Sequence, residues 1–226
     1  MTTGGVLFDL DGVLVDSAAL HVRAYERVFS EAGLSFADVA RSAVIDGKSR
    51  SYVIDLALPS APLDLKQGLA DAKPKALEGL LRDQSDCSMP GATETVRALA
   101  KAGIPMAVVT NSRSPQMWLR KIGLSTQMRI VITGEDTASP KPSPEGYLLG
   151  AKRLAIEPRR CLAIEDSYDG WLAATSAGMQ VAIVSGQRPP WLDTTVEVMS
   201  QLDASRILRC LESPAALADK TTGRTG

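Results

Sequence analysis

Apolar positions along this chain change their rhythm from one segment to the next. Near the start they form a short run, Gly5-Val6-Leu7-Phe8-Asp9-Leu10, which the acid at Asp9 interrupts and Gly12 follows. A run of that length beside a glycine predicts a buried strand rather than a helix. Beyond Asp16 the spacing becomes helical. Leu20, Ala24, Val28 and Phe29 share one face of a helix predicted from Ser17, a capping residue, to about Ala32, with Gly33 ending it. Further helices are predicted from Lys48 to Leu58, stopped by Pro59, and from Asp64 to Leu81, which Pro74 should kink or divide. Between Asp16 and Cys87 there is no strand pattern.

From Met89-Pro90-Gly91 onward the two rhythms alternate. Strands are predicted over Ile104–Val109, Arg129–Thr133, Cys161–Ile164 and Val181–Val184. Helices are predicted over Ala92–Ala102, from Ser114-Pro115, from Ser143-Pro144-Glu145 and over Tyr168–Ala177. Strands and helices in alternation predict a parallel sheet with helices on both faces. The fold class is therefore α/β, with a doubly wound (Rossmann-like) core and an all-helical insertion. Residues 1–15 and 89–219 are assigned to the core, 16–88 to the helical domain, and the polar residues 220–226 to a disordered tail. Trp118, Trp171 and Trp191 are read as packing residues.

Composition then narrows the function. The 226 residues carry 25 lysines and arginines against 26 acids, a net charge of −1, and 4% are aromatic. Neither a basic surface for phosphate backbones nor a stacking platform for bases is expected, so nucleic acid is excluded as a partner. Apolar runs are too short to span a bilayer, and Met1 to Gly5 carry no basic residue, so neither a membrane anchor nor a secretion signal is expected. Three cysteines and one histidine make a disulfide framework and a zinc site improbable. The expectation is a cytoplasmic enzyme, monomeric or a small homo-oligomer, acting on a small molecule.

The chemistry sits at strand ends, where open α/β sheets bind ligands. Asp9 and Asp11, two residues apart in Asp9-Leu10-Asp11-Gly12, repel one another unless a cation or a shared proton offsets them. An acidic turn is the plain alternative for a sequence ending in Asp-Gly. A second acidic pair, Glu165-Asp166, ends another apolar run, and oxygen donors from separated segments suit Mg²⁺. Thr110-Asn111-Ser112 follows a third strand and reads either as a capped loop or as hydroxyl and amide contacts. Lys141 lies in the proline-rich Ser139-Pro140-Lys141-Pro142, which restrains its backbone and aims its ammonium. Together these groups fit phosphoryl transfer. Asp9 is the nucleophile, Asp11 the acid and base, Thr110 and Lys141 bind the transferring oxygens, and Asp9 and Asp166 hold Mg²⁺.

Asp9-Leu10-Asp11-Gly12-Val13-Leu14, Thr110-Asn111-Ser112, Lys141-Pro142 and Ile164-Glu165-Asp166-Ser167 resemble the four ordered motifs of the haloacid dehalogenase superfamily. The resemblance implies that the metal is held by Asp9, Asp166 and the backbone carbonyl of Asp11, with Glu165 as an accessory metal residue and Asn111 and Ser112 on the substrate. It identifies residues 16–88 with a helical cap, like that of β-phosphoglucomutase and the small sugar-phosphate phosphatases. There His21, Lys48 and Arg50 are implied as substrate contacts, with Arg50 able to grip a second phosphate. Glucomutases place a lysine where this chain has Asp46, and their pattern after the second strand also differs. Both departures favour a phosphatase of small phosphorylated metabolites, sugar phosphates above all, over a phosphosugar mutase. A receiver-type signalling module or a silent phosphate-binding protein is the more distant alternative.

Overall fold

The computed structural model describes residues 4–45, 47–112 and 114–212. Asp46 and the tail expected at 220–226 lie outside the described residues. The chain divides into two compact units, one made of its first fifteen residues with those from Ser88 onward, the other of Asp16–Cys87.

The first unit is a six-stranded parallel sheet in the order β3-β2-β1-β4-β5-β6. Its strands are β1 (Gly5–Phe8), β2 (Met106–Val109), β3 (Ile130–Ile132), β4 (Cys161–Glu165), β5 (Gln180–Val184) and β6 (Glu197–Met199). β1, β2 and β4 are buried at every residue, as strands covered on both faces must be, so their apolar runs are continuous rather than alternating. The helices between them are α5 (Ala92–Lys101), α6 (Pro115–Lys121), α7 (Glu145–Leu154) and α8 (Tyr168–Ser176), and α9 (Ala204–Glu212) follows β6. The start of β1 shows the two layers. A Cβ at Gly5 would meet Leu154 at the end of α7 and Ile156 just past it, whereas one at Gly4, the residue before the strand, would meet Leu211 of α9. Leu7, Val109, Ile132 and Ala163 pack with Tyr147, Ala151, Ala173 and Ala174 in one core cluster on the α7–α8 side.

The second unit holds α1 (Ala18–Glu31), α2 (Asp38–Ile45), α3 (Arg50–Ala57) and α4 (Leu63–Asp83). Its centre is aromatic. Tyr25 stacks on Phe36 at 5.3 Å between ring centroids, and Phe29 meets the same ring edge-on at 5.0 Å.

Several expectations need correction. Pro74 neither divides nor ends its helix, because α4 runs unbroken through it. Ser17 stands at the start of α1 but its hydroxyl makes no capping bond, since its backbone is already helical rather than extended. Ser49 does cap, accepting from the N–H of Tyr52 at 3.3 Å. Three elements were not anticipated: α2, β6 and α9. Trp118 is a packing residue, only 1% exposed. Trp171 and Trp191 instead pack half-buried on one another at 5.7 Å and on the exposed Tyr168.

Candidate active site

In the strand order β3-β2-β1-β4, the chain leaves β1 toward one edge and returns through α7 to β4 on its other side. The crevice between β1 and β4 is thus the switch point at which doubly wound sheets place ligands. Phe8 pairs with Ile164, and the N–H of Asp9 donates to the carbonyl of Ile164 at 2.9 Å. That register sets Asp9 beside Glu165 and Asp166. One carboxylate oxygen from each of the three lies within 4.8 Å of the others. The fold thus brings together three acids that stand at strand ends far apart in the sequence.

The remaining geometry is built by short loops. After Asp9 the chain turns tightly, with the N–H of Gly12 on the carbonyl of Val15 at 2.8 Å and that of Leu14 on Leu10 at 2.9 Å. Gly12 has φ of +78°, and a Cβ there would run into the Asp166 carboxylate. Only glycine satisfies both demands. Asp11, half-buried, lies close enough for its charge to raise the pKa of both Asp9 and Asp166.

Lys141 arrives on the loop between β3 and α7. That loop is stapled along its length. The Asp136 carboxylate accepts from the N–H and hydroxyl of Thr133, both at 2.8 Å, and from Arg153 at 2.7 Å. Glu145 accepts from the N–H groups of Ala138 and Ser139, at 2.8 and 3.3 Å. Asn111 Oδ1 accepts from the backbone N–H of Lys141 at 3.1 Å. Asn111 was expected on the substrate; here its carbonyl oxygen anchors the lysine loop. Thr110 is buried, and its Oγ1 accepts from the N–H of Ser112 at 3.0 Å. The Ser112 hydroxyl in turn accepts from the N–H of Ser114 at 3.4 Å.

Lys141 Nζ donates to Asp9 Oδ1 and to Glu165 Oε1, each at 2.5 Å. Burial alone would lower its pKa, but the two carboxylates outweigh burial and hold it above the usual lysine value. Burial holds Asp9 well above the usual carboxylate range, with Lys141 opposing. Burial, and after it the Glu165 charge, push Asp166 up to about 7. Glu165 has no exposed surface and four hydrogen bonds. Besides Lys141, Oε1 accepts from Tyr147 Oη at 2.6 Å, and Oε2 accepts from the N–H of Asp166 and the hydroxyl of Ser167, both at 3.2 Å. Asp9 and Glu165 share the Lys141 ammonium with Asp166 beside them, a concentration of hard, anionic oxygen that suits a small divalent cation.

In the helical unit the expected residues have other partners. His21 Nδ1 lies 2.5 Å from Lys73 Nζ, a contact made when the imidazole nitrogen is unprotonated and accepts from the ammonium. Lys73 is buried, with its Nζ 5.3 Å from the centre of the Tyr25 ring. Burial, opposed by Arg50, pushes Tyr25 up to about 12. Arg50 donates to the carbonyl of Ala70 at 3.1 Å, and Lys48 is exposed. Sequence reasoning missed Lys73 and Tyr147. Lys73 carries a weak signal, a lysine on the buried stripe of an amphipathic helix. Tyr147 carries none, since it reads as one more core aromatic.

The fold and this cluster of carboxylates define the class, a doubly wound α/β protein with an acidic site at the switch point of its parallel sheet. Residues 3–178 match the haloacid dehalogenase-like hydrolases, and the chain belongs to that family. It is 32% identical to hexitol phosphatase A of Escherichia coli (strain K12) over 191 residues, 82% of this chain and 84% of that protein. To the β-phosphoglucomutase of Mycobacterium tuberculosis (strain CDC 1551 / Oshkosh) it is 29% identical over 211 residues, 80% of each. A solved β-phosphoglucomutase from Clostridium difficile superposes with a TM-score of 0.78 over 93% of this chain and 98% of that one, at 22% identity, a likeness of fold. No helix among the described residues is long and apolar enough to cross a membrane.

Proposed function

We propose that the protein is a Mg²⁺-dependent phosphatase of small phosphorylated metabolites, sugar phosphates in particular, working through an aspartyl phosphate on Asp9. The observation that carries this reading is the contact of Lys141 Nζ with Asp9 Oδ1 at 2.5 Å, beside Asp166. Lys141 holds Asp9 in place and offers positive charge to the oxygens of an incoming phosphoryl group. Asp9 attacks phosphorus as the phosphorus–oxygen bond to the leaving alcohol breaks. Asp11 gives that alcohol its proton and then takes one from the water that attacks the aspartyl phosphate. The Thr110 hydroxyl donates to the transferring oxygens. Asp9, Asp166 and the main-chain carbonyl of Asp11 would hold the cation, with Glu165 behind them. When bound, Mg²⁺ neutralises the anionic oxygens that would otherwise repel the attacking carboxylate.

His21, Lys48 and Arg50 enter as substrate contacts on the strength of the motif resemblance, with Asn111 and Ser112 near the phosphate. A cytoplasmic setting is supported by the cysteine content, three widely spaced residues that make no even set for a disulfide framework. Asp9→Asn should abolish turnover of a generic phosphomonoester while leaving the thermal transition in place; retained activity would reject the nucleophile. Asp166→Ala should raise the Mg²⁺ concentration needed for activity. A phosphosugar mutase is the second reading, favoured by the similarity to β-phosphoglucomutases. Incubation with β-glucose 1-phosphate, Mg²⁺ and a bisphosphate primer separates the two: the phosphatase releases free phosphate, the mutase gives glucose 6-phosphate.

A further inference from the structure

A buried phenol is a poor choice for packing alone, because its hydroxyl must be desolvated and phenylalanine would fill the same space. Tyr147, in the first turn of α7, is fully buried, and its hydroxyl is spent on one atom, Glu165 Oε1, at 2.6 Å. Lys141 Nζ reaches that same oxygen at 2.5 Å and lies 5.2 Å from the centre of the Tyr147 ring. The other carboxylate oxygen is held by the N–H of Asp166 and by Ser167. The first turn of α8 closes over the group, since a Cβ at Gly170 would collide with it. Glu165 is thus pinned on every side, and Lys141 is shared between two anions that compete for it.

Resting on the phosphatase reading above, we propose that Tyr147 is a positioning residue that divides Lys141 between Glu165 and Asp9. Its O–H takes up part of the negative charge on Glu165 Oε1. Lys141 is then left to lean toward Asp9 and the phosphoryl group that Asp9 receives. Without that O–H a fully buried carboxylate turns to its one remaining strong donor on that oxygen and draws the ammonium to itself. The ring stays, so the loss is confined to the hydrogen bond.

Tyr147→Phe tests this. Its crystal structure should show Lys141 Nζ on Glu165 and beyond hydrogen-bonding distance of Asp9. With Mg²⁺ present, kcat and the affinity for tungstate, a tetrahedral oxyanion, should each fall about tenfold, the lower end of what loss of such a supporting partner brings. The Mg²⁺ concentration for half-maximal activity should stay within about twofold of wild type, well short of that loss. In a Glu165→Gln background, where no anion competes, adding Tyr147→Phe should change tungstate affinity by less than about twofold. An unchanged Lys141–Asp9 distance overturns the proposal, as does full additivity with Glu165→Gln, or a loss of Mg²⁺ affinity as large as the loss in kcat. Failure of the phosphatase reading looks different: wild-type protein then turns over no phosphomonoester, while the Lys141–Asp9 distance still judges Tyr147.

Discussion

Arg50 donates from Nη1 to the carbonyl oxygen of Ala70 at 3.1 Å, and Pro74, four residues further along α4, is the reason that carbonyl is open to it. In an α-helix the oxygen of residue 70 would accept from the N–H of residue 74, and proline has none. The guanidinium of a different helix takes the vacant place. This is how α4 crosses its proline without breaking, and it fixes Arg50 through one of its five N–H groups.

Pro74→Ala restores the helical donor. Proline inside a helix costs about 3 kcal/mol, of which the Arg50 bond offsets a part, so the variant should be more stable by roughly 1–2 kcal/mol. Thermal unfolding reads this directly. Arg50→Ala should destabilise the wild-type background, where it strands the Ala70 carbonyl, and should be nearly neutral beside Pro74→Ala. Equal effects in both backgrounds would refute the coupling.

Gly12→Ala should disable the site. The substitution puts a side chain on a left-handed backbone and drives it into Asp166, whose displacement by an ångström or so is enough to lower turnover by about 100-fold. Gly33→Ala is the control. Gly33 has a similar φ of +71°, but a Cβ there meets nothing within 4 Å, so only about 1 kcal/mol of stability should be lost, with kcat unchanged. Paired kinetics and melting curves of the two variants separate backbone strain from collision.

Asn111→Ala removes the acceptor that ties the backbone of Lys141 to the end of β2. A mispositioned ammonium should lower kcat by about tenfold. Loss of a direct substrate contact would instead raise KM with kcat preserved, and steady-state kinetics distinguishes the two.

Asp136 carries the pH signature. The N–H of Thr133, then Arg153 and the Thr133 hydroxyl, lower its pKa to about 2 from the ordinary carboxylate value near 4. A depressed folded-state pKa means that the contribution to stability is complete above the unfolded value and is lost as pH falls through the folded one. The melting temperature of Asp136→Asn should therefore trail wild type by a constant margin from pH 7 to about 5, and the gap should close between about pH 4 and 2. Solvent screening keeps the effect below about 1 kcal/mol. A gap independent of pH would assign the effect to packing instead.

Much of the fold is legible in the chain because parallel strands buried on both faces leave continuous apolar runs, as in β1, β2 and β4. What escapes is local pattern overruled by context. α2 turns Ala40 and Ala43 inward and leaves Val39 and Ile45 exposed, so its apolar residues do not mark its buried face. β6 has only three residues at a sheet edge, and Pro74 signals a break that Arg50 prevents.

Residue type and position relative to a strand end were enough to nominate Asp9, Thr110, Lys141 and Asp166, because a parallel sheet delivers all its carboxyl ends to one edge. Which atom each side chain touches was decided by tertiary structure. Lys141 meets an aspartate 132 positions away, Tyr147 meets Glu165, and Lys73 meets His21. A hydrogen bond depends on a separation of about 3 Å in space, and helical or strand periodicity carries no information about groups that the fold brings together from distant segments.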